Sequence, residues 1–334
     1  MTSVSVVVPV YRSKKTLAEL HRRLTAVLSQ HGETFEIVLV EDCGGDGSWQ
    51  LIQELARADG RVRGIQLTRN YGQHNALLCG IRAASCDVVV TIDDDLQNPP
   101  EEIPKLLAKI EEGYDVVYGT PEKEQHGFLR DQASRITKMV LQGAMGADTA
   151  RRVSAFRAFR TSIRAAFENY RSPFVSIDVL LTWGTTRFTH VVVRHDARAA
   201  GVSNYTVRKL ITHALNMMTG FSTIPLQLAS VLGLLFGLFG FGVLAYAVIN
   251  YVIHGGSVPG FTFLASIIAV LSGVQLFALG IMGEYLARMH SRTMDRPPYL
   301  VGSETEQRLV TGSAEGLQVR MRIEAPAAGQ ATAR

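Results

Sequence analysis

In DVVVTIDDDLQNPP, residues 87–100, a β-branched apolar run gives way to three consecutive aspartates, a glutamine, an asparagine and a proline pair. A run such as Val88 to Ile92 has no polar alternation, which is the pattern of a central strand covered on both faces. Pro99 and Pro100 force the chain out of that strand, so the aspartates fall at its carboxyl end. That edge is where ligands bind in open α/β sheets. Adjacent carboxylates repel unless a cation offsets them, and oxygen-only donors suit Mg²⁺ or Mn²⁺. Alternation along an extended segment sends Asp93, Asp95 and Gln97 to one side and Asp94 to the other. Asp93, Asp95 and Gln97 are thus the candidate metal ligands, with a solvated acidic turn as the alternative.

Working outward, residues 3–10 (SVSVVVPV) read as a strand, and residues 16–28 have helical spacing of Leu17, Leu20, Leu24 and Leu28. Residues 35–40 and 62–68 give two more strands, 101–112 a helix with an acidic start, and 114–120 a fifth strand. Strands alternating with helices predict an α/β domain with a mostly parallel sheet and right-handed crossovers. The second strand runs into Glu41, Asp42 and a glycine-rich turn, where carboxylates can accept from a base N–H or ribose hydroxyls. Arg69 follows the third strand as a candidate to meet a diphosphate, with an ordinary surface arginine as the alternative. Residues 173–183 read as a helix and 187–195 as an edge strand.

Charge is spread very unevenly along the 334 residues. Residues 210–283 hold no Asp, Glu, Lys or Arg, and Arg208, Lys209, Arg288, Arg292 and Arg296 flank them. Residues 225–251 and 261–286 are each long enough to cross about 30 Å of hydrocarbon. The turn between them is uncharged, so the positive-inside rule places both outer ends in the cytoplasm. Residues 205–221 suit an amphipathic helix in the membrane surface. A net charge of +4 gives no reason to expect a nucleic-acid partner. Three cysteines without metal-ligand spacing fit a reducing compartment, and no signal peptide precedes the first strand. The expected organisation is a cytoplasmic domain over 1–204, an interface helix over 205–222, a two-helix hairpin over 223–290, and a tail over 291–334, disordered beyond about 302.

DDDLQNPPEEIP resembles the D-x-D-x-Q-x-P-P element of the family 2 glycosyltransferases that act on polyprenyl phosphates. The dolichol-phosphate mannose synthases, bacterial polyprenyl-phosphate glucosyltransferases and undecaprenyl-phosphate aminoarabinose transferases carry it. Further matching strings follow in order: VPVY at 8–11, RNYGQH at 69–74, FRAFR at 156–160, R-x-x-G-x-S-x-Y from Arg198 to Tyr205, and G-x-Q-x-x-x-x-G-x-x-G-E-Y-x-x-R from Gly273. The resemblance implies a GT-A nucleotide-sugar domain followed by an interface helix and two transmembrane helices. It implies an inverting transferase that moves a sugar from a nucleotide diphosphate donor, UDP favoured, to a polyprenyl phosphate, with Mg²⁺ or Mn²⁺ as cofactor. The implied setting is a bacterial inner membrane and the implied assembly a homo-oligomer, a tetramer by likeness.

Carried over residue by residue, Pro9, Tyr11, Glu41, Asp42, Arg69, Asp93, Asp94 and Arg157 serve the nucleotide-sugar. Asp93, Asp94, Asp95 and Arg198 are the catalytic candidates. Arg130, Arg135, Arg198, Ser203 and Tyr205 serve the acceptor phosphate. The chain departs from the family at residues 12–15, at Glu41, at 121–123, at Ala155 and at Asn204. A processive polysaccharide synthase would need a Q-x-x-R-W motif, which is absent. A catalytically silent membrane protein that binds nucleotide-sugar or assists lipid flipping is the rival of another class. The sugar itself is not readable.

Overall fold

The computed structural model describes residues 2–30, 34–121, 152–172, 174–196, 224–254 and 260–305. Its strands are β1 (Val4–Val10), β2 (Phe35–Glu41), β3 (Val62–Leu67), β4 (Val88–Thr91), β5 (Val116–Pro121), β6 (Arg157–Arg160), β7 (Phe188–Val193) and β8 (Val301–Glu304). The helices are α1 (Leu17–Gln30), α2 (Ser48–Ala58), α3 (Gln73–Ala83), α4 (Ile103–Glu111), α5 (Ile177–Gly184), α6 (Ile224–His254) and α7 (Phe261–Thr293). The strands form one sheet of order β7-β5-β6-β4-β1-β2-β3-β8. Its centre, β4-β1-β2-β3, is parallel as the alternation of strands and helices predicts.

Three strands lie beyond the five expected at the outset of the domain. FRAFR, read only as a motif, supplies β6, which runs antiparallel between β4 and β5. The predicted edge strand is β7, parallel to β5 at the sheet's margin. The tail departs from expectation: residues placed at the onset of disorder instead form β8, antiparallel to β3. Thr68 N–H donates to Leu300 O at 3.0 Å and Thr305 N–H to Gly64 O at 2.9 Å. An otherwise bare edge of β3 is thereby paired. The helix expected over 173–183 begins at Ile177.

Each central strand is buried on both faces, and its side chains divide by parity. Val7, Val38, Val40, Ile65 and Val89 join α3 and α5 in one core, while Val6, Val8, Ile37, Leu39 and Val90 join α1 and α4 in the other. Pro9 is tolerated inside β1 because pairing with β4 ends at Val7↔Thr91, so its missing N–H faces a side where no ladder remains. Helix α3 lies so close to the sheet that a Cβ on Gly80 would fall 2.4 Å from Val7 Cγ1. That approach fixes the helix whose first turn reaches the aspartates.

Helices α6 and α7 pack side by side, and both contain stretches long and apolar enough to cross a membrane. Leu234, Leu238, Phe241, Ile249 and Val252 stand exposed on α6, the reverse of a soluble helix. The helix expected over 128–141, the surface helix over 205–221 and the tail after 305 lie outside the described residues.

Candidate active site

β4 ends at Thr91, and the chain turns at once rather than continuing extended. Leu96 takes φ +62°, a left-handed conformation uncommon for a leucine, while its side chain is buried in the core beneath. The alternation expected from Asp93 through Gln97 therefore holds for Asp93 and Asp94 but stops there. Asp94 faces the loop after β1, accepting from Tyr11 N–H at 3.0 Å and from the Ser13 hydroxyl. Asp93 faces α3 and accepts from Gln73 Nε2 at 2.7 Å. Gln97 and Asp95 are related by the turn itself, since Gln97 N–H donates to Asp95 Oδ1 at 3.1 Å.

Asp93 is half-buried, yet desolvation, followed by the charges of Asp95 and Asp94, pushes its carboxyl up to about 7. Asp94 is raised too, by burial, with its bonds from Ser13 and Tyr11 opposing the rise. Among the described residues, no group of three or more His, Cys, Asp or Glu side chains is arranged to hold a metal ion. The charge of Asp95 acts on Asp93, and Gln97 is tied to Asp95 through its backbone N–H. Two carboxylates leave coordination positions for water and phosphate, the manner in which Mg²⁺ is usually bound. Crowded negative charge that raises Asp93 is also what a divalent cation would neutralise, so the Asp93 and Asp95 carboxylates are compatible with such an ion.

The acids at the end of β2 are engaged by protein. Glu41, 1% exposed, accepts from Gly44 N–H at 2.6 Å and Gln66 Nε2 at 3.1 Å. Asp42, 3% exposed, accepts from Tyr71 N–H at 2.7 Å and Gly72 N–H at 2.8 Å, and burial raises its pKa. Both carboxylates thus shape the loops that wall the cleft. Arg12 departs from the family pattern but has a structural part: its Nε donates to Gly44 O at 3.2 Å. A Cβ on Gly44 would lie 2.8 Å from Arg12 N, so the two loops touch only because residue 44 is glycine. Beside them a cavity of about 260 Å³ is lined by Lys14, Glu41, Gly47, Trp49, Gln50 and Gln66. Tyr11 is 40% exposed, and Arg69 is exposed with its guanidinium 4.6 Å from the Tyr71 ring centre.

Arg157 differs from its expected place on a pocket wall. It is 1% exposed, with Nε donating to Thr91 Oγ1 at 3.0 Å and Nη1 paired with Asp178 in the first turn of α5. Tyr118 OH donates to the same Asp178 oxygen at 3.1 Å. The Arg157 charge opposes the rise in Asp93, so it acts on the aspartates from behind. Sequence reasoning missed Gln73, Ser13 and Asp178. Gln73 stands inside the RNYGQH string, where attention fell on Arg69 and on His74; the His74 Nδ1 lies 3.5 Å from Ile177 N, at the start of α5.

Arg130, Arg135, Arg198, Ser203 and Tyr205 lie outside the described residues. The segment that leads to Arg198 is nonetheless anchored at the site: Asp196 N–H donates to Gln97 O at 2.8 Å, and His195 Nδ1 lies 3.3 Å from Asn98 Oδ1. β7 therefore delivers the chain directly onto the turn that carries Asp95 and Gln97.

Residues 5–170 match the family model for glycosyl transferase family 2. Undecaprenyl-phosphate 4-deoxy-4-formamido-L-arabinose transferase from Enterobacter sp. (strain 638) is 34% identical over 94% of this chain and 97% of its own. The protein of the same name from Serratia proteamaculans (strain 568) is 37% identical over 89% and 92%. Among solved structures, glucosyl-3-phosphoglycerate synthase from Mycobacterium tuberculosis, determined with Mn²⁺, UDP and phosphoglyceric acid, shares the fold at a TM-score of 0.50. It is 17% identical and covers 65% of this chain and 76% of its own. With a GT-A sheet, an aspartate turn at its carboxyl edge and relatives aligned over nearly its whole length, the chain belongs to glycosyl transferase family 2.

Proposed function

We propose that the protein is a membrane-anchored inverting glycosyltransferase that moves a sugar from a nucleotide diphosphate donor, UDP by preference, to an undecaprenyl-type polyprenyl phosphate. The observation that carries this reading is the docking of residues 195–196 on the Gln97–Asn98 turn. Arg198 follows Asp196 by two residues in the sequence and is assigned to the phosphate by the matching R-x-x-G-x-S-x-Y string. The curated relatives, whose names specify an undecaprenyl phosphate, support the choice of acceptor.

A phosphate monoester is close to doubly charged at neutral pH, its second pKa being about 6. Positioning therefore matters more than a strong base. An acceptor phosphate oxygen attacks the anomeric carbon as the bond to the donor diphosphate breaks, and the nucleoside diphosphate leaves with that electron pair. A divalent ion, when bound, supplies positive charge to the departing diphosphate, and Asp93, Asp95 and Gln97 would hold it. Tyr11 and Arg69 offer an exposed ring and a cation to the nucleotide, while Pro9, Glu41 and Asp42 set the loop shapes around it. Asp94 fixes the Tyr11–Ser13 loop, and Arg157, held by Thr91 and Asp178, supplies a positive charge that favours ionised Asp93. Arg198, Arg130, Arg135, Ser203 and Tyr205 are assigned to the acceptor phosphate.

The two apolar helices belong in a bacterial inner membrane on this reading, with the catalytic domain cytoplasmic. Assembly as a tetramer is part of the proposal by family likeness alone. The test is a donor panel: purified full chain, undecaprenyl phosphate, Mg²⁺ or Mn²⁺, and each UDP- and GDP-sugar in turn, with glycolipid followed by mass spectrometry. Product from one donor, lost with Asp95→Ala, supports the reading. Nucleotide-sugar binding without product from any donor would favour the silent binding protein.

A further inference from the structure

A second pocket lies away from the aspartates, where α7 meets the catalytic domain. It is a cavity of about 390 Å³, and Tyr170, Arg171, Ser172, Trp183 and Arg292 are among its walls. Among the described residues, two arginines and no carboxylate line it. The Tyr170 and Trp183 rings meet edge to face at 5.5 Å, and Trp183 is 50% exposed. Arg82 in the last turn of α3 donates to Tyr170 O at 2.7 Å, whereas Gln73 in the first turn reaches Asp93. Nine residues of helix, about 14 Å, therefore separate this pocket from the reacting end.

Its depth relative to a bilayer follows from α7. The uncharged run ends at Gly283, and Arg292 lies nine residues on, about 14 Å along the axis. The polar layer outside the hydrocarbon is about 5–8 Å thick, and a long arginine side chain spans the remainder. Nearby, the Arg288 guanidinium stacks 4.9 Å from the Phe174 ring centre, and Phe174 is itself exposed. Exposed Trp183 and Phe174 rings and a half-buried Tyr170 beside arginines match the composition of a membrane–water interface. Arg171 pairs with Asp295 at 2.9 Å, but both side chains are well exposed. Such a surface pair contributes little and exchanges readily for another anion.

We infer that this pocket binds the headgroup of an anionic phospholipid, with Arg292 and Arg171 on the phosphate and Trp183 and Tyr170 against the rest of the headgroup. The inference rests on the membrane placement proposed above. Occupancy would tie the catalytic domain to the bilayer surface at a fixed height.

The test uses the full chain in neutral detergent, titrated separately with short-chain phosphatidylglycerol, matched phosphatidylcholine and inorganic phosphate. Trp emission is the readout, and Trp183→Phe identifies the part that comes from Trp183. The expected result is a saturable Trp183 response to phosphatidylglycerol with a midpoint at least about five-fold below that for phosphatidylcholine, the scale of one basic residue near a lipid surface. Arg292→Gln should erase that difference and Arg292→Lys retain most of it; Arg171→Gln supplies an independent variant if the first does not fold. Equal responses to the two lipids, indifference to both Gln variants, or displacement by inorganic phosphate would overturn the site. Sugar transfer is assayed on the same samples: lipid response without transfer counts against the proposed reaction alone, and transfer without lipid preference against this pocket alone.

Discussion

Gln73 illustrates how one amide can govern a charged site. Its bond to Asp93 ties the aspartate turn to the first turn of α3, and bonds that support a metal ligand typically change metal affinity or activity by about 10–100-fold. Gln73→Ala should therefore raise the Mg²⁺ or Mn²⁺ concentration for half-maximal activity by about ten-fold. Saturating metal should restore most of kcat; a variant with an unchanged metal midpoint would remove Gln73 from this role. A second residue-scale prediction concerns Asp59, which Arg61 and His21 hydrogen-bond from the side-chain end. Burial raises its pKa, but the bonds from Arg61 and His21 outweigh this and bring it down to about 2. A carboxylate depressed on folding stabilises the protein above its unfolded value near 3.8, and that stabilisation is lost as pH falls from there toward 2. With Arg61 partly exposed, screening reduces the gain to about 1 kcal/mol. Denaturant melts should show Asp59→Asn weaker than the parent by that amount at pH 7, the gap closing as pH drops through that window.

At the scale of elements, the position of α3 against the sheet is the feature on which the site depends. Gly80→Leu would drive a side chain into Val7 and Val40, where overpacking costs about 1–3 kcal/mol. Because α3 also carries Gln73 and follows the Tyr71–Gly72 turn held by Asp42, donor affinity should fall along with thermal stability. A stable variant with unchanged donor KM would uncouple the two. The parallel core, β1 to β4, and the aspartate turn were legible because unbroken β-branched runs and a proline pair have few other readings. Strand β6 was not legible: RAFR gains its strand state from pairing on both sides, with β4 and β5, and no local pattern announces it. The same holds for β8, whose VGSE has little apolar content and is held by the edge of β3. Tyr299, just before it, packs on the α3 core with Arg82 over its ring at 5.8 Å. Tyr299→Ala should destabilise the catalytic domain by about 2 kcal/mol, whereas a disordered tail would leave the melt unchanged.

The whole chain passes from the catalytic domain through two apolar helices and back to the sheet's edge. Its catalytic domain is thus linked to α6 and α7 at two points, before Ile224 and after Thr293, and only the second is among the described residues. Arg171 and Asp295 bridge that second junction at 2.9 Å. What the sequence could not convey is that carboxylates read as ligand contacts, Glu41, Asp42 and Asp94, already hold backbone N–H groups of the cleft loops. Their spacing advertised acidity, and only the folded loops reveal which acids are engaged. The central claim is transfer to a lipid phosphate, and the most direct measurement offers the full chain its active donor with either undecaprenyl phosphate or undecaprenol. Glycolipid is expected from the phosphate alone, with nucleoside diphosphate released in equal amount. Equal product from undecaprenol, or nucleotide release with neither lipid glycosylated, would contradict it.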